Sequence, residues 1–187
     1  MAHGGNVIDE LMTDHREVEA LFGRIEGLPV GHKDRKMYAD QVTMELVRHS
    51  VAEEAHLYPA VRAHLPNGDA MADQEIDDHS KAERIMKDLE GCDADDPEFD
   101  RLVGMLMSEI RSHVADEEQN LFPLLRQACP AETLDELGDK VRQAKKMAPT
   151  RPHPSAPDRP PANKLLAPGM GLVDRMRDAL TGRGKKD

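Results

Sequence analysis

The sequence predicts an all-α protein, an antiparallel up-down-up-down bundle of four helices followed by a short fifth helix and a proline-rich tail. Aromatic residues make up only 3% of the 187 residues and Trp is absent, so aliphatic side chains must fill the core. Apolar residues recur at steps of three and four along most of the chain, which is the period of a helix with one buried face. The chain also repeats itself after 64 residues, which indicates two similar helical hairpins.

Each helix of the bundle is predicted from its apolar stripe and from the residues that end it. Gly27 and Pro29 end the first stripe, and Pro59 kinks the second helix or ends its regular part. We predict helices over residues 7–27, from Lys33 to beyond Pro59, over about 71–90, over about 98–127 and, as the short fifth helix, over 131–147.

The internal repeat places the same chemical groups at the same positions of both hairpins. Residues 12–66 align with 76–130 without a gap and share thirteen identities over 55 positions. The identities concentrate on a His-x-x-x-Glu pattern in the second helix of each hairpin and on a histidine in the first. Residues four apart lie on one face of a helix. A pseudo-twofold axis would therefore bring six side chains to one midplane: His15, His49, Glu53, His79, His113 and Glu117.

Residues 1–147 are predicted to form this bundle and residues 148–187 a separate basic tail. Proline recurs so often up to Pro168 that we expect no regular structure there. Residues 171–180 could form one short amphipathic helix, the alternative being a disordered tail. The net charge is −11, of which the tail carries about +4 and the bundle about −15. Such an acidic bundle is a poor partner for nucleic acid or for anionic lipid. The tail is the segment that we expect to bind any protein partner.

The composition also favours a soluble protein of the cytoplasm. The first residues contain no apolar signal segment, and no stretch approaches the roughly 18 apolar residues of a membrane helix. Cys92 and Cys129 are too few for a disulfide framework. We therefore expect cytoplasmic localisation and no membrane partner.

Six ionisable groups on the inner face of a small bundle require an explanation. A single histidine in an apolar stripe is more often a hydrogen-bonded core residue than a metal ligand. Burying all six groups without partners would cost several kcal/mol per group. A metal cluster would stabilise them together, and the alternative is a polar core filled with water.

The types of ligand narrow the choice of metal. Zinc needs four ligands and favours Cys, whereas both cysteines lie outside the pattern. Calcium and magnesium prefer oxygen ligands. Mixed imidazole and carboxylate ligation suits iron or, as the weaker alternative, manganese. Four histidines and two glutamates match two ions, each with two histidines, bridged by both carboxylates and by an oxo or hydroxo group.

The arrangement of these six residues resembles the hemerythrin-like, or HHE cation-binding, domain. The resemblance covers residues 7 to about 130 and is specific because two His-x-x-x-Glu motifs stand at the same offset as two further histidines. It implies a non-haem di-iron centre that binds oxygen or a related small molecule, such as peroxide or nitric oxide. It also implies the metal ligands His15, His49, Glu53, His79, His113 and Glu117.

The chain departs from the pattern of the oxygen carriers in this family. Carriers hold one iron with a third histidine, spaced by four from another ligand histidine. The positions four away from His79 are Glu75 and Glu83, and neither is a histidine. Both irons would then be more open, which favours reaction with the bound molecule over simple oxygen carriage.

Several further residues are predicted to lie near the ligands. Metal-bound imidazoles usually donate their second N–H to a carboxylate or carbonyl group. We expect Glu45 with Glu109, or Glu19 with Glu83, to accept these hydrogen bonds, the alternative being salt bridges on solvated flanks. The remaining expectations are that His56 is a fifth imidazole ligand or a hydrogen-bond partner, that Glu54 and Glu118 lie at the surface, and that Tyr58 and Phe122 plug one end of the bundle.

Three functions are compatible with these predictions, and the sequence leaves open whether the protein is an enzyme. The first is a di-iron protein that senses or stores oxygen. The second is a di-iron protein that consumes peroxide or nitric oxide in oxidative or nitrosative stress, which the open site favours. The third is an iron-handling bundle whose metal controls its stability and its release of a partner.

Overall fold

The protein is helical throughout the residues that the structure, a computed structural model, describes. These are residues 4–158 and 162–184, without the side chains of 164 and 165. No strand occurs among them. The helices are α1 (Val7–Glu26), α2 (Lys33–Ala52), α3 (Tyr58–His64), α4 (Gly68–Glu90), α5 (Pro97–Asp116), α6 (Phe122–Ala128), α7 (Ala131–Met147) and α8 (Ala162–Thr181), and two π-helical turns join α2 to α3 and α5 to α6: π1 (Glu53–Leu57) and π2 (Glu117–Leu121).

Two antiparallel hairpins make the predicted bundle. Helix α1 packs on α2 in the first hairpin and α4 packs on α5 in the second. The Asn6 side chain accepts hydrogen bonds from the backbone N–H groups of Ile8 and Asp9 and so caps α1. Asp96 caps α5 in the same way, and Pro97 occupies its first turn, where no N–H donor is needed. The predicted all-α fold is confirmed.

The prolines of the two repeats explain the π-helical turns. Pro59 and Pro123 have no backbone N–H, and a proline ring inside a regular helix would clash with the carbonyl four residues before it. In each repeat the helix widens before the proline, so that the N–H of Tyr58 donates to the Glu53 carbonyl and the N–H of Phe122 donates to that of Glu117. A π-helical turn places a residue above the one five positions earlier. The turn therefore aligns an aromatic side chain with each motif glutamate.

The apolar core lies in two parts, one towards each end of the bundle. One part contains Leu11 and Leu57 and extends to the N-terminal half of α7. The other contains Val18, Phe22 and Leu106. Between Leu11 and Val18 along α1 lies His15, so the layer of ionisable residues separates the two apolar parts.

Helix α7 confirms the predicted fifth helix and packs across α1 and α2. Gly138 allows this close approach, because a Cβ atom there would lie 2.7 Å from the Gly5 carbonyl oxygen. The free thiols Cys92 and Cys129 are not paired with each other. No helix in the described part of the chain is both long and apolar enough to cross a membrane.

The prediction that regular structure is absent up to Pro168 is wrong. Helix α8 begins at Ala162 and contains Pro168, whereas the predicted helix covered only 171–180. One proline removes a single N–H donor from the helix, and the contacts of α8 with the rest of the chain outweigh that loss. Gly171 lets α8 cross the end of α7, since a Cβ atom there would clash with the Met147 carbonyl oxygen. Residues 159–161 and 185–187 of the predicted tail lie outside the described residues.

Candidate metal centre

Six side chains converge in the layer between the two apolar parts of the core. Helix α1 contributes a histidine, α4 contributes another, and each C-terminal turn of α2 and α5 contributes a histidine followed by a glutamate in the π-helical turn. All six are buried, and the two glutamates are completely inaccessible. These are the six residues predicted as ligands: His15, His49, Glu53, His79, His113 and Glu117.

The first pair of histidines lies on one side of the two glutamates. His15 Nε2 is 3.3 Å from Glu117 Oε2, and His49 Nε2 is 3.1 Å from Glu53 Oε2. The two rings lie 5.0 Å apart between centroids. One ligand atom from each of these four residues lies within 4.8 Å of those of the other three, so together they could hold one ion.

The pseudo-twofold axis relates a second pair of histidines, His79 and His113, to the first pair. His79 Nε2 is 3.3 Å from Glu53 Oε2, and His113 Nε2 is 3.6 Å from Glu117 Oε2. The two Nε2 atoms are themselves 3.3 Å apart. Glu53 groups with both of these histidines at metal-binding distances, and Glu117 groups with His113. Each glutamate therefore lies close to histidines of both hairpins, as a bridging ligand would.

Four of the nitrogen and oxygen atoms that face the middle of this cluster are fully buried but have no hydrogen-bond partner among the described residues. They are His15 Nε2, His49 Nε2, Glu53 Oε1 and Glu117 Oε2. Leaving such atoms unpaired costs about 1–3 kcal/mol each, and more for charged groups. A bound cation would satisfy all of them, so the chemistry of this cluster fits a metal centre.

The outer nitrogen of each imidazole faces a different carboxylate. His15 Nδ1 lies 2.9 Å from Glu118 Oε1 and His79 Nδ1 lies 3.0 Å from Glu54 Oε1, so these two contacts cross between hairpins. His49 Nδ1 lies 3.1 Å from Asp14 Oδ2 and His113 Nδ1 lies 2.8 Å from Glu75 Oε2, and both contacts stay within a hairpin. A carboxylate hydrogen-bonded at this nitrogen fixes the ring orientation and the tautomer in which Nε2 is free to bind metal. The contact between His113 and Glu75 is short but lacks hydrogen-bond geometry, whereas the other three are hydrogen bonds.

This arrangement corrects two predictions. The expected partners of the imidazoles bind elsewhere: Glu45 pairs with Arg48, Glu19 with Arg111, and Glu83 accepts a hydrogen bond from the backbone N–H of His153. Glu109 has no contact with the four imidazoles. Helix periodicity identifies the face of a residue but not the partner across a helix–helix contact. Glu54 and Glu118, which we expected at the surface, are instead two of the four outer partners.

The outer carboxylates break the pseudo-symmetry of the centre. Asp14 also contacts Lys145 of α7, at 2.5 Å between Oδ1 and Nζ. Burial raises the pKa of Asp14, but His49 and Lys145 outweigh this and hold the pKa below its ordinary value. Burial raises the pKa of Glu75 to about 7 despite its contact with His113. Helix α7 thus adds a cation behind one histidine pair only.

Tyr58 is a residue of the site that the sequence reasoning missed. Its hydroxyl oxygen lies 3.1 Å from His79 Nε2, 3.3 Å from Glu117 Oε1 and 3.4 Å from Glu53 Oε2. Burial and the surrounding carboxylates, Glu53 first among them, raise the pKa of Tyr58 well above its ordinary value, so it remains a neutral O–H donor. Pro59 could have indicated this position of Tyr58 in the sequence, because the π-helical turn that the proline requires aligns Tyr58 with Glu53.

The equivalent residue of the second repeat does not provide a hydroxyl. Phe122 stacks on His15 with 5.8 Å between centroids and 8° between planes. The prediction that Tyr58 and Phe122 plug one end of the bundle is therefore wrong, since both touch the metal-ligand layer. His56 is half-buried, and the clusters of described residues able to share an ion do not include it.

A small cavity lies against the four imidazoles, within the bundle. Apolar side chains, among them Val18, Leu46 and Ile110, form the rest of its wall together with Ser50. Its volume is about 10 Å³, close to the space that one water-sized molecule requires. The metal-ligand layer therefore borders a space suited to a molecule of very few atoms.

The metal-free protein is expected to lose stability as the pH rises from about 6.5 to 10. Burial lowers the pKa of His79, but Glu53 and Glu54 outweigh this and raise it from 6.5 to about 10. A group with a raised pKa stabilises the fold fully below its unfolded value and loses that effect through its folded value. Urea denaturation of the metal-free protein at pH 6, 8 and 10 would measure the trend, and a constant midpoint would contradict it.

Comparisons with known proteins agree with this geometry. The family described as the hemerythrin HHE cation-binding domain matches residues 6–125. An uncharacterized hemerythrin-like protein of Schizosaccharomyces pombe is 26% identical over 175 residues, which cover 93% of this chain and 86% of the relative. A DNA nickase of Nostoc is 30% identical over 141 residues, 75% of this chain but only 39% of the nickase.

A solved structure supports the fold. The crystal structure of a hemerythrin HHE cation-binding domain-containing protein from Mycobacterium kansasii matches with a TM-score of 0.64 at 21% identity, covering 75% of this chain and 85% of the other. The family match spans well over half of the chain and includes all six converging residues. The chain therefore belongs to the hemerythrin HHE cation-binding domain family.

Proposed function

We propose that the protein is a non-haem di-iron protein that binds and consumes a small oxidant, such as peroxide or nitric oxide, in oxidative or nitrosative stress. The observation that carries the proposal is the sharing of Glu53 and Glu117 between two pairs of histidines. This is the donor set for two ions with bridging carboxylates, and mixed nitrogen and oxygen ligation suits iron, with manganese as the alternative.

Separate groups of residues would bind the two ions and orient the ligands. His15 and His49 would hold one ion, His79 and His113 the other, and the two glutamates would hold both. The four outer carboxylates keep the imidazoles oriented. Iron in such a pair supplies the electrons for reduction of an oxidant, chemistry that the amino acids alone lack.

Tyr58 supports turnover rather than simple carriage. Its neutral O–H group lies within 3.4 Å of both glutamates and of His79, although Tyr58 does not line the small cavity against the imidazoles. A hydroxyl at this distance could donate a hydrogen bond to a bound oxidant as negative charge develops on it. Phe122, at the equivalent position of the second repeat, has no hydroxyl, so the two ions would offer a ligand unequal environments.

Reversible binding of oxygen, for sensing or storage, is the second candidate. It is favoured by the apolar wall of the small cavity, which would shield a bound molecule from water. The two candidates differ in what happens to the oxidant, because a storage protein releases it unchanged whereas a consuming protein destroys many molecules per centre.

Metal analysis and oxidant kinetics test the proposal. We expect anaerobically purified protein loaded with iron to hold two ions per chain and to change its absorption spectrum when air is added. We further expect it to remove hydrogen peroxide or nitric oxide over many turnovers when an added electron donor reduces the iron again after each turnover. Iron binding with a spectral change that reverses under vacuum and no turnover would favour storage. Failure to bind iron would refute both candidates.

A further inference from the structure

The internal repeat gives the bundle two equivalent grooves, and they are closed in different ways. The first groove runs between α1 and α5. Arg111 of α5 donates to Glu19 of α1 with distances of 2.7 and 3.1 Å, and lies 3.5 Å from Glu26. Arg16 of α1 lies 2.6 Å from Glu118 of π2. Two arginines thus bridge this groove from within the bundle.

The second groove, between α2 and α4, has no arginine at the matching positions. The repeat offset of 64 pairs Arg111 with Val47 and Arg16 with Ser80. The matching acceptors are nevertheless retained, since Glu19 corresponds to Glu83 and Glu26 to Glu90. Because Val47 and Ser80 are shorter than arginine, the second groove is left open at the positions where Arg111 and Arg16 close the first.

The C-terminal segment provides the missing partners. Arg151 Nη1 lies 2.5 Å from Glu90 Oε1, and the backbone N–H of His153 donates to Glu83 at 2.8 Å. Residues 148–158 and 162–184, which we call the strap, thus occupy on the second groove the same acceptors that Arg111 occupies on the first.

Helix α8 holds the strap in place through buried charges. Asp174 accepts a hydrogen bond from His153, and Asp178 accepts one from Thr150 and pairs with Arg151. At its far end the strap reaches α2, where Gln41 donates to the Gly184 carbonyl at 2.7 Å. The strap therefore spans the groove from α4 to α2.

A cavity of about 80 Å³ remains between the strap and the groove. Its walls are mixed, with apolar side chains such as Val51 and Met86 on the bundle side and several prolines on the strap side, and with polar and charged groups between them. Its inner end reaches His79, an expected metal ligand, and Ser50. Both residues also line the small cavity against the four imidazoles. These two side chains thus separate the space under the strap from the small cavity against the imidazoles.

We propose that the cavity under the strap is the access site for the small molecule that reacts at the metal centre, and that it admits uncharged molecules of a few atoms. Glu54, Glu83 and Asp158 line it together with Arg151 and His153, so charges of both signs are present. A cavity of about 80 Å³ holds only a few atoms, and an ion would lose its hydration on entering it. This inference rests on the proposed function. It assigns a role in access to the strap, which lies outside residues 6–125, the part of the chain that matches the family.

Substitutions that narrow the passage are expected to slow binding without changing the metal content. Ser80→Arg places an arginine opposite Glu54, as Arg16 stands opposite Glu118, and Ser50→Leu fills the point where the two cavities meet. The matched control is Ser108→Arg, the same substitution at an exposed position of α5. Stopped-flow association of nitric oxide with the iron-loaded, reduced protein is expected to slow by about tenfold or more in both narrowed variants and not in the control.

A variant that loosens the strap should have the opposite effect. Arg151→Gln removes the pairs with Glu90 and Asp178 and is expected to speed nitric oxide association. Unchanged rates in Ser80→Arg and Ser50→Leu, with normal iron content and normal binding amplitude, would overturn the access route but leave the proposed function intact. Loss of iron in both narrowed variants would place these serines in the support of the metal centre and would also overturn the route. A parent protein that binds no iron would instead refute the proposed function.

Discussion

A His49→Ala variant is expected to bind no more than about one iron ion per chain and to lose the absorption band of a coupled iron pair. His49 Nε2 lies 3.1 Å from Glu53 Oε2, and its outer nitrogen lies 3.1 Å from Asp14. The substitution would therefore remove a ligand from one ion and leave two buried carboxylates without their imidazole. Iron analysis of the purified variant, with its absorption spectrum in air, measures the effect.

The matched control is His64→Ala, which removes an exposed imidazole from α3. This control should bind iron as the parent does. Circular dichroism would show that the His49→Ala variant is still helical, so that a loss of iron reports on ligation and not on unfolding. A His49→Ala protein with the parent's iron content and spectrum would show that His49 is not a ligand.

An Asp14→Asn variant is expected to lower the affinity for iron by about 10–100-fold, the effect typical of losing a carboxylate behind a metal-bound imidazole. The amide keeps the shape of Asp14 but removes the charge that contacts both His49 and Lys145. The buried Lys145 ammonium would then lose one of its two carboxylate partners, the other being Glu10. Competition with a chelator of known affinity measures the change.

The internal repeat provides the control for this prediction. Asp78 occupies the equivalent position in the second hairpin, but it contacts Lys81 and Gln74 instead of an imidazole. Asp78→Asn should therefore leave the affinity for iron unchanged. Equal losses in both variants would indicate a general effect of acidic charge near the bundle, and no loss in either would show that the carboxylate at His49 is dispensable.

The six converging positions could be predicted because their information is local. A spacing of four residues places His49 and Glu53 on one face of a helix, and the repeat places the same pair on its partner helix. Because burying these ionisable groups without partners costs free energy, they are expected to lie close together. Neither step depends on the details of helix packing, which explains why the structure brings the predicted set together.

The outer carboxylates could not be predicted because they depend on contacts between helices. Glu54 and Glu118 are next to ligands in sequence, yet each one reaches the histidine of the opposite hairpin. The position of Tyr58 depends on the π-helical turn, which changes the residue that stands above Glu53. The strap depends on ion pairs over long sequence separations, such as Arg151 with Glu90, and periodicity contains no information about these.

The unequal grooves have a consequence for the origin of the molecule. A symmetric dimer of one ancestral hairpin would necessarily have two identical grooves and two identical aromatic residues beside the histidine and glutamate cluster. Fusion of two copies into one polypeptide removes that constraint, and each copy is then free to diverge. Tyr58 opposite Phe122, and a strap opposite a pair of arginines, are differences that a dimer of two identical chains cannot maintain.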